Sequence, residues 1–303
     1  MRAGSAEPAT AIPAWIDVPP VFIVGAPRSG TTLMRLMLTA HPRVSIASEG
    51  AYVYLPALLS RRDPRDTAGL ESLFLEILPH LEKEQFLSPP AFGDLLDWVT
   101  RYGSDVRSIL TFYGTWEARI LGKADLSWWG DNAPYHVHHI PFFAATFPGC
   151  KFIVMIRDPR DACASSKASF AWHQLDAAIG SWELAVLNGL MGELYLGPAR
   201  VKRLKYESLI RTPTEQLQDV CAFLDVEYTD HMLAYHESRA ARAIGRLSHH
   251  RNVLSSVFAG SIGKYRERLT PDEIATIEER LGTSMVGLGY MSYEEYAGTR
   301  AGR

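Results

Sequence analysis

Residues 21 to 40 read Val-Phe-Ile-Val, Gly-Ala-Pro-Arg-Ser-Gly-Thr-Thr, Leu-Met-Arg-Leu-Met-Leu-Thr-Ala, and nothing else in the chain restricts its fold so tightly. Val21–Val24 is a short, apolar, β-branched run, which predicts a strand buried on both faces. Leu33–Ala40 predicts a helix, closed off by His41-Pro42. The glycine-bounded loop between them, G-x-x-x-x-G from Gly25 to Gly30, gathers backbone N–H groups and a helix N-terminus around one point. Such a loop is an anion cradle. Arg28 adds fixed positive charge with a two-pronged fork of donors, and Thr31 and Thr32 add hydroxyls.

The same strand-loop-helix order returns further on. Lys151–Ile156 is a second apolar strand, followed by Arg157-Asp-Pro-Arg-Asp and a helix from about Ala162. Leu175–Tyr195 predicts a long amphipathic helix and Val201–Lys205 a third, weaker strand, while Val44–Ala47 is a short β-like run. Thr212-Pro-Thr-Glu and Thr270-Pro-Asp-Glu each place Thr at an N-cap, Pro at N1 and Glu at N3, the pattern of a capping box. Between residues 50 and 127, Ala51–Ser60, Leu70–Lys83, Phe92–Arg101 and Val106–Leu121 carry apolar residues at helical spacing. The reading is an α/β fold: a P-loop-type parallel sheet with helices on both faces and a mostly helical insertion at about 50–127. A flexible N-terminal arm (1–17) precedes a single domain (18–293), and a C-terminal tail (294–303) follows. Ligands of such sheets bind beyond the carboxyl ends of the strands, where both loops lie.

Composition excludes several classes. Residues of the set AVILMFWYC make up 47% of 303, so a sizeable core is available. With 31 basic against 34 acidic residues the net charge is −3, which argues against a disordered chain and against a basic nucleic-acid binder. Cys150, Cys163 and Cys221 are too few and too scattered for a disulfide framework, so a reducing compartment is expected and each reads as a small core residue. No run approaches the ~18 apolar residues of a membrane span, and the first twenty residues lack the apolar stretch of a secretory signal. A cytoplasmic protein is expected.

The phosphate loop lacks the lysine of a Walker A sequence; Thr31 stands there. No acidic residue closes the second strand, because Ile156 is followed by Arg157. These absences argue against a Mg²⁺-dependent kinase or NTPase and for a phosphate-bearing ligand handled without metal. His136, His138 and His139 have no accompanying Cys or carboxylate cluster, so no metal is expected; they read as the polar rim of an acceptor pocket or as a helix start after Pro134. Trp128 and Trp129 read as core.

The string Gly25–Thr32 resembles the 5′-phosphosulfate loop of sulfotransferases that use 3′-phosphoadenosine 5′-phosphosulfate (PAPS). The longer string GAPRSGTTLMRLMLTAHPRV is similar to the tyrosylprotein sulfotransferase-like branch. The resemblance covers about residues 20 to 293. It implies transfer of a sulfuryl group to a hydroxyl acceptor (a small molecule, sugar, lipid or tyrosine), with 3′,5′-ADP as product. It places Arg28 against the transferring group and Ser29, Gly30, Thr31 and Thr32 around the 5′ end. Arg157 and Ser165, eight residues apart, resemble the family's 3′-phosphate signature, with Lys167 and Ser169 as additions. Lys205-Tyr206-Glu207 resembles a motif whose tyrosine lies near the nucleotide. His249–Lys264 corresponds to the family's C-terminal cofactor loop, with Arg251 and Lys264 as its cations and Tyr265 where a tryptophan is usual. Glu49, twenty-one residues after Arg28, takes the place of the catalytic glutamate.

One departure stands out. Where relatives carry a lysine, Gly130-Asp131-Asn132-Ala133-Pro134 presents Asn132, a neutral donor. Losing one oriented donor at a reacting centre costs roughly 2.7–4 kcal/mol. Two alternatives to a working transferase therefore stay open: a slow or non-catalytic nucleotide-binding protein of the same fold, and a P-loop kinase or NTPase. A homodimer is also left open.

Overall fold

The computed structural model describes residues 15–48, 66–83, 88–169, 174–244 and 259–301. Among them, five strands make one sheet: β1 (Pro20–Gly25), β2 (Val44–Ala47), β3 (Trp128–Asn132), β4 (Lys151–Ile156) and β5 (Val201–Lys205). Their order is β2-β3-β1-β4-β5 and every pairing is parallel. Helix α1 (Thr31–Ala40) follows β1, and α2 (Thr67–Lys83), α3 (Phe92–Tyr102) and α4 (Val106–Ile120) occupy the insertion. Helix α5 (Ile140–Thr146) precedes β4; α6 (Pro159–Ser169) and α7 (Leu175–Leu196) lie between β4 and β5. After β5 come α8 (Tyr206–Arg211), α9 (Pro213–Leu224), α10 (Arg239–Ile244), α11 (Tyr265–Arg268), α12 (Pro271–Gly287) and α13 (Tyr293–Ala301).

Strand side chains alternate between two cores, as a period of two requires. Phe22, Val24, Trp129, Phe152 and Val154 join one core with Trp182 of α7 and Phe143 of α5. Val21, Ile23, Ile153 and Met155 join the other with Met34 of α1 and Leu217 of α9. Each such side chain contributes roughly 1.5–3 kcal/mol by leaving water, so the sheet is held from both faces. The register pairs Val24 with Val154 and Gly25 with Met155, which ends β1 and β4 side by side at one edge.

Several expectations change. The chain enters the body at a 3-10 turn, Trp15–Asp17, where Trp15 is buried and its indole Nε1 donates to the Ala124 carbonyl. Trp15–Asp17 therefore pack with the body of the fold. Residues 293–301 are helix rather than tail, and the Tyr296 ring sits against Gly282 of α12. Helix α6 begins at Pro159, three residues before the expected Ala162. The capping box at Thr270 forms: its Oγ1 accepts from Glu273 N and Glu273 Oε2 accepts from Thr270 N. The one at Thr212 does not form. Thr212 also ends α8, and its hydroxyl donates back to the Ser208 carbonyl. Trp128–Asn132, read only as a string before a strand, is itself a strand next to the centre of the sheet. Gly130 lets it close, because a Cβ there would stand 1.8 Å from the Val21 carbonyl oxygen.

The three cysteines are free and buried, and burial pushes their thiols up, to about 11 for Cys150 and Cys221 and about 12 for Cys163.

Candidate functional site

The glycine loop leaves β1 and starts α1 at Thr31, two residues earlier than the periodicity predicts. Gly30 is the N-cap at φ 93, with no side-chain cap, and a Cβ there would meet the Tyr206 ring at 2.4 Å. The N–H groups of the first turn thus have no capping side chain, which suits them to an anion. Ser29 is fully buried and its Oγ has no hydrogen-bond partner. Arg28 holds φ 67 in the left-handed region, uncommon for a residue with a side chain. That conformation is fixed from outside: its Nε donates to Ser165 Oγ at 3.1 Å, and its carbonyl accepts from Arg157 Nη1 at 2.9 Å.

The second loop thus meets the first directly. Arg157, at the end of β4, is 8% exposed. Its other prong, Nη2, donates to the Ser261 carbonyl at 2.7 Å, and its guanidinium lies 4.5 Å from the centre of the Tyr206 ring. Tyr206 OH and Ser261 Oγ share a hydrogen bond of 2.6 Å. Arg157 Nε is buried without a partner. Among the described residues Arg157 meets only neutral oxygens, so its charge is not cancelled by a carboxylate. The Arg157 carbonyl accepts from Trp182 Nε1 at 3.0 Å, which locks the strand end onto α7.

The rest of Arg157-Asp-Pro-Arg-Asp is scaffold. Arg160 pairs with Asp158 at 2.7 Å and Glu278 at 2.8 Å. Asp161 accepts from the Gly263 and Tyr265 N–H groups at 2.6 and 2.9 Å, and so sets the turn that contains Lys264. Glu207 accepts from Asp158 N and from Tyr290 OH. Burial, then the charge of Glu207, holds the Tyr290 phenol well above its ordinary range. Lys167 does not join the site: it pairs with Glu273 at 2.5 Å on the surface.

Asn132 closes β3 beside Ile23 of β1, buried, with Oδ1 unpartnered. Asp131 and His136 form a buried pair, Nε2 to Oδ2 at 2.7 Å, in which burial pushes the Asp131 carboxyl up against the opposing pull of His136. His136 is therefore core rather than the rim of a pocket, within a 3-10 turn over Pro134–His139 that gives the expected helix start at Pro134, while burial lowers the pKa of half-buried His138 and His139 is exposed. Among the described residues no group of three His, Cys, Asp or Glu could hold a metal ion. Glu49 and Arg251 lie outside the described residues. Ser48, one residue before Glu49, is fixed: its Oγ donates to Glu117 Oε1 at 2.5 Å, and Glu117 holds Arg35 at 2.6 Å in a buried ion pair.

The structure therefore gathers Arg28, Ser29, Gly30, Thr31, Arg157, Ser165 and Tyr206 at one edge. Ser261, which bridges Arg157 and Tyr206, was missed by sequence reasoning. Its only signal was a hydroxyl in the small-residue run just before Lys264.

A model of the sulfotransferase family matches residues 19–230. Protein-tyrosine sulfotransferase 2 of Gallus gallus is 27% identical over 227 residues, which are 73% of this chain and 55% of that protein. Protein-tyrosine sulfotransferase 1 of Homo sapiens is 25% identical over 288 residues, 91% of this chain and 71% of that protein. The chain spans a little over half the length of the Gallus gallus relative. Among solved structures, the sulfotransferase domain of the Synechococcus PCC 7002 olefin synthase superposes with TM-score 0.61 at 20% identity, over 90% of this chain and 96% of that one. The sulfotransferase domain from the curacin biosynthetic pathway follows at TM-score 0.55 and 19% identity, over 90% and 99%. Both share the fold.

Proposed function

The chain belongs to the sulfotransferase family, and from that premise we propose that it moves the sulfuryl group of PAPS to a hydroxyl acceptor and releases 3′,5′-ADP. One observation carries this reading: the junction of two strand-end loops through Arg28, Ser165 and Arg157. Two anion sites held side by side suit a nucleotide phosphorylated at both ends of its ribose. Ser29 Oγ and Arg157 Nε, buried and unpartnered, are polar atoms that an anionic ligand would satisfy.

In this reading Arg28 and the first turn of α1 hold the 5′ end, and Arg157 with Ser165 holds the 3′-phosphate. Tyr206 and Ser261 keep the Arg157 guanidinium in place. Lys264 and Arg251 contribute charge from the C-terminal side. PAPS supplies an already activated sulfuryl group, so the protein's work is to position reactants and stabilise charge. Arg28 neutralises charge on the group in transit. Glu49 takes the acceptor's proton, and Asn132 offers a neutral donor where relatives have a cation. No metal takes part. The names of the curated relatives make a tyrosyl hydroxyl the first acceptor to try, followed by small molecules, sugars and lipids.

A thermal-shift comparison of 3′,5′-ADP, ATP, 5′-AMP and GTP tests the class. A shift specific to 3′,5′-ADP is expected; stabilisation by Mg²⁺-ATP instead would return the kinase reading. Tight 3′,5′-ADP binding without transfer to any acceptor would select the non-catalytic reading that Asn132 permits. Glu49→Gln is expected to spare 3′,5′-ADP affinity and cut turnover ~100-fold; full activity in that variant removes Glu49 as the base.

A further inference from the structure

Helix α7 carries apolar residues all round, which is the composition of a covered helix. Its inner side is covered: Trp182, Ala185, Val186 and Gly189 pack toward the sheet. Its outer side is not. Leu184, Leu187, Met191, Leu194 and Tyr195 are half to four-fifths exposed, from 49% at Leu187 to 79% at Leu194. Helix α12 shows what a solvated outer face looks like in the same molecule, with exposed Asp272, Glu279, Arg280 and Thr283.

We propose that a second copy of this chain covers α7, two α7 helices pairing antiparallel across a two-fold axis. The spacing carries this. Leu184, Leu187, Met191 and Leu194 follow each other at three, four and three residues, the a/d seam of a helix pair. That sequence of steps reads the same in both directions, so the seam is self-complementary under reversal, as a two-fold interface requires. The area agrees. At these exposures the five side chains leave on the order of 600 Å² open, the upper end for the largest apolar patch on a monomer. Doubled across the axis, that is on the order of 1,200 Å², the lower end of a stable interface. Charge agrees as well. The helix contains no Lys or Arg, which disfavours an anionic lipid surface. Two of its acids are already paired within the chain, Asp176 with Arg280 and Glu193 with Arg203, each at 2.5 Å. Identical faces can therefore approach with little repulsion from these acids.

Sedimentation of the full chain from about 1 to 100 μM, with and without neutral phosphatidylcholine vesicles, tests this, alongside Leu187→Glu/Met191→Glu and the milder Leu194→Lys. The wild type is expected to sediment as a dimer, and the double variant as a monomer with unchanged melting temperature and 3′,5′-ADP affinity. Leu194→Lys is expected to raise the dimer dissociation constant about tenfold. A monomeric wild type, whether or not it floats with vesicles, overturns the proposal. So does a dimer indifferent to both variants. Nucleotide binding is read separately, so failure here leaves the functional reading untouched.

Discussion

Arg157 and Arg160 stand three residues apart at the end of β4 and are treated in opposite ways. Arg160 is wrapped by Asp158 and Glu278, and its charge is spent inside the protein. Arg157 is oriented just as firmly, but by the carbonyls of Arg28 and Ser261 and by the Tyr206 ring. Carbonyls and a ring face fix a guanidinium without neutralising it. A held cation with no carboxylate partner among the described residues suits the anion receptor proposed above, whereas the same side chain between two carboxylates is a rivet. Charge alternation in the sequence suits both roles; only the partners tell them apart.

The sharpest way to break this contrast is substitution at the receptor end. Arg157→Ala and Arg28→Ala are each expected to weaken 3′,5′-ADP binding by about 1.5–3 kcal/mol, the worth of charged hydrogen bonds. Unchanged affinity in both, measured by isothermal titration, would dissolve the site. At the rivet end, Arg160→Ala leaves Asp158 and Glu278 facing each other without a cation. A stability loss of about 1–3 kcal/mol is expected, with nucleotide affinity changed less than about threefold. Denaturant melts and the same titration would show whether the two effects separate.

A smaller test asks whether identical sequence signals differ in worth when their surroundings differ. Thr270→Ala removes a formed capping box and is expected to cost about 1 kcal/mol, while Thr212→Ala, whose hydroxyl makes only a long bond of 3.4 Å to the Ser208 carbonyl, costs under about 0.5 kcal/mol. Lys167 first, and then the Thr270 N–H, hold the Glu273 carboxyl below its ordinary 4.5. A carboxylate with a lowered folded value lends stability above the unfolded value and loses it as pH falls through the folded one. The wild-type advantage over Lys167→Ala, which removes the first of these partners, should therefore shrink on acidification below 4.5; a gap that widens there would contradict the assignment.

Legibility divides along the same line. Strand β4 is read from sequence to the residue, because a continuous apolar run has few other ways to be buried; β5, Val-Lys-Arg-Leu-Lys, carries a weaker signal in which only Val201 and Leu204 turn inward. β3 is not legible in this way, because Trp-Trp-Gly-Asp-Asn contains three residues that strands disfavour. It is a strand because its neighbours demand one, and Gly130 is there to let Val21 come close. The placement of the glycine loop and of Arg157 at neighbouring strand ends was legible, since strand, loop and helix follow in order in both segments. Ser261 was not, because its role exists only once a distant turn is pinned by Asp161. His136 looked polar and available, yet its partner lies five residues back in a buried strand.

The central claim is that these two loops make one receptor with a separate place for each phosphate. Titrating the wild type and Arg157→Ala with 3′,5′-ADP and with 5′-AMP tests it most directly. The wild type is expected to prefer 3′,5′-ADP by at least about tenfold, and the substitution to erase the preference while leaving 5′-AMP affinity nearly unchanged. A variant that keeps the full preference, or a wild type that has none, would contradict it.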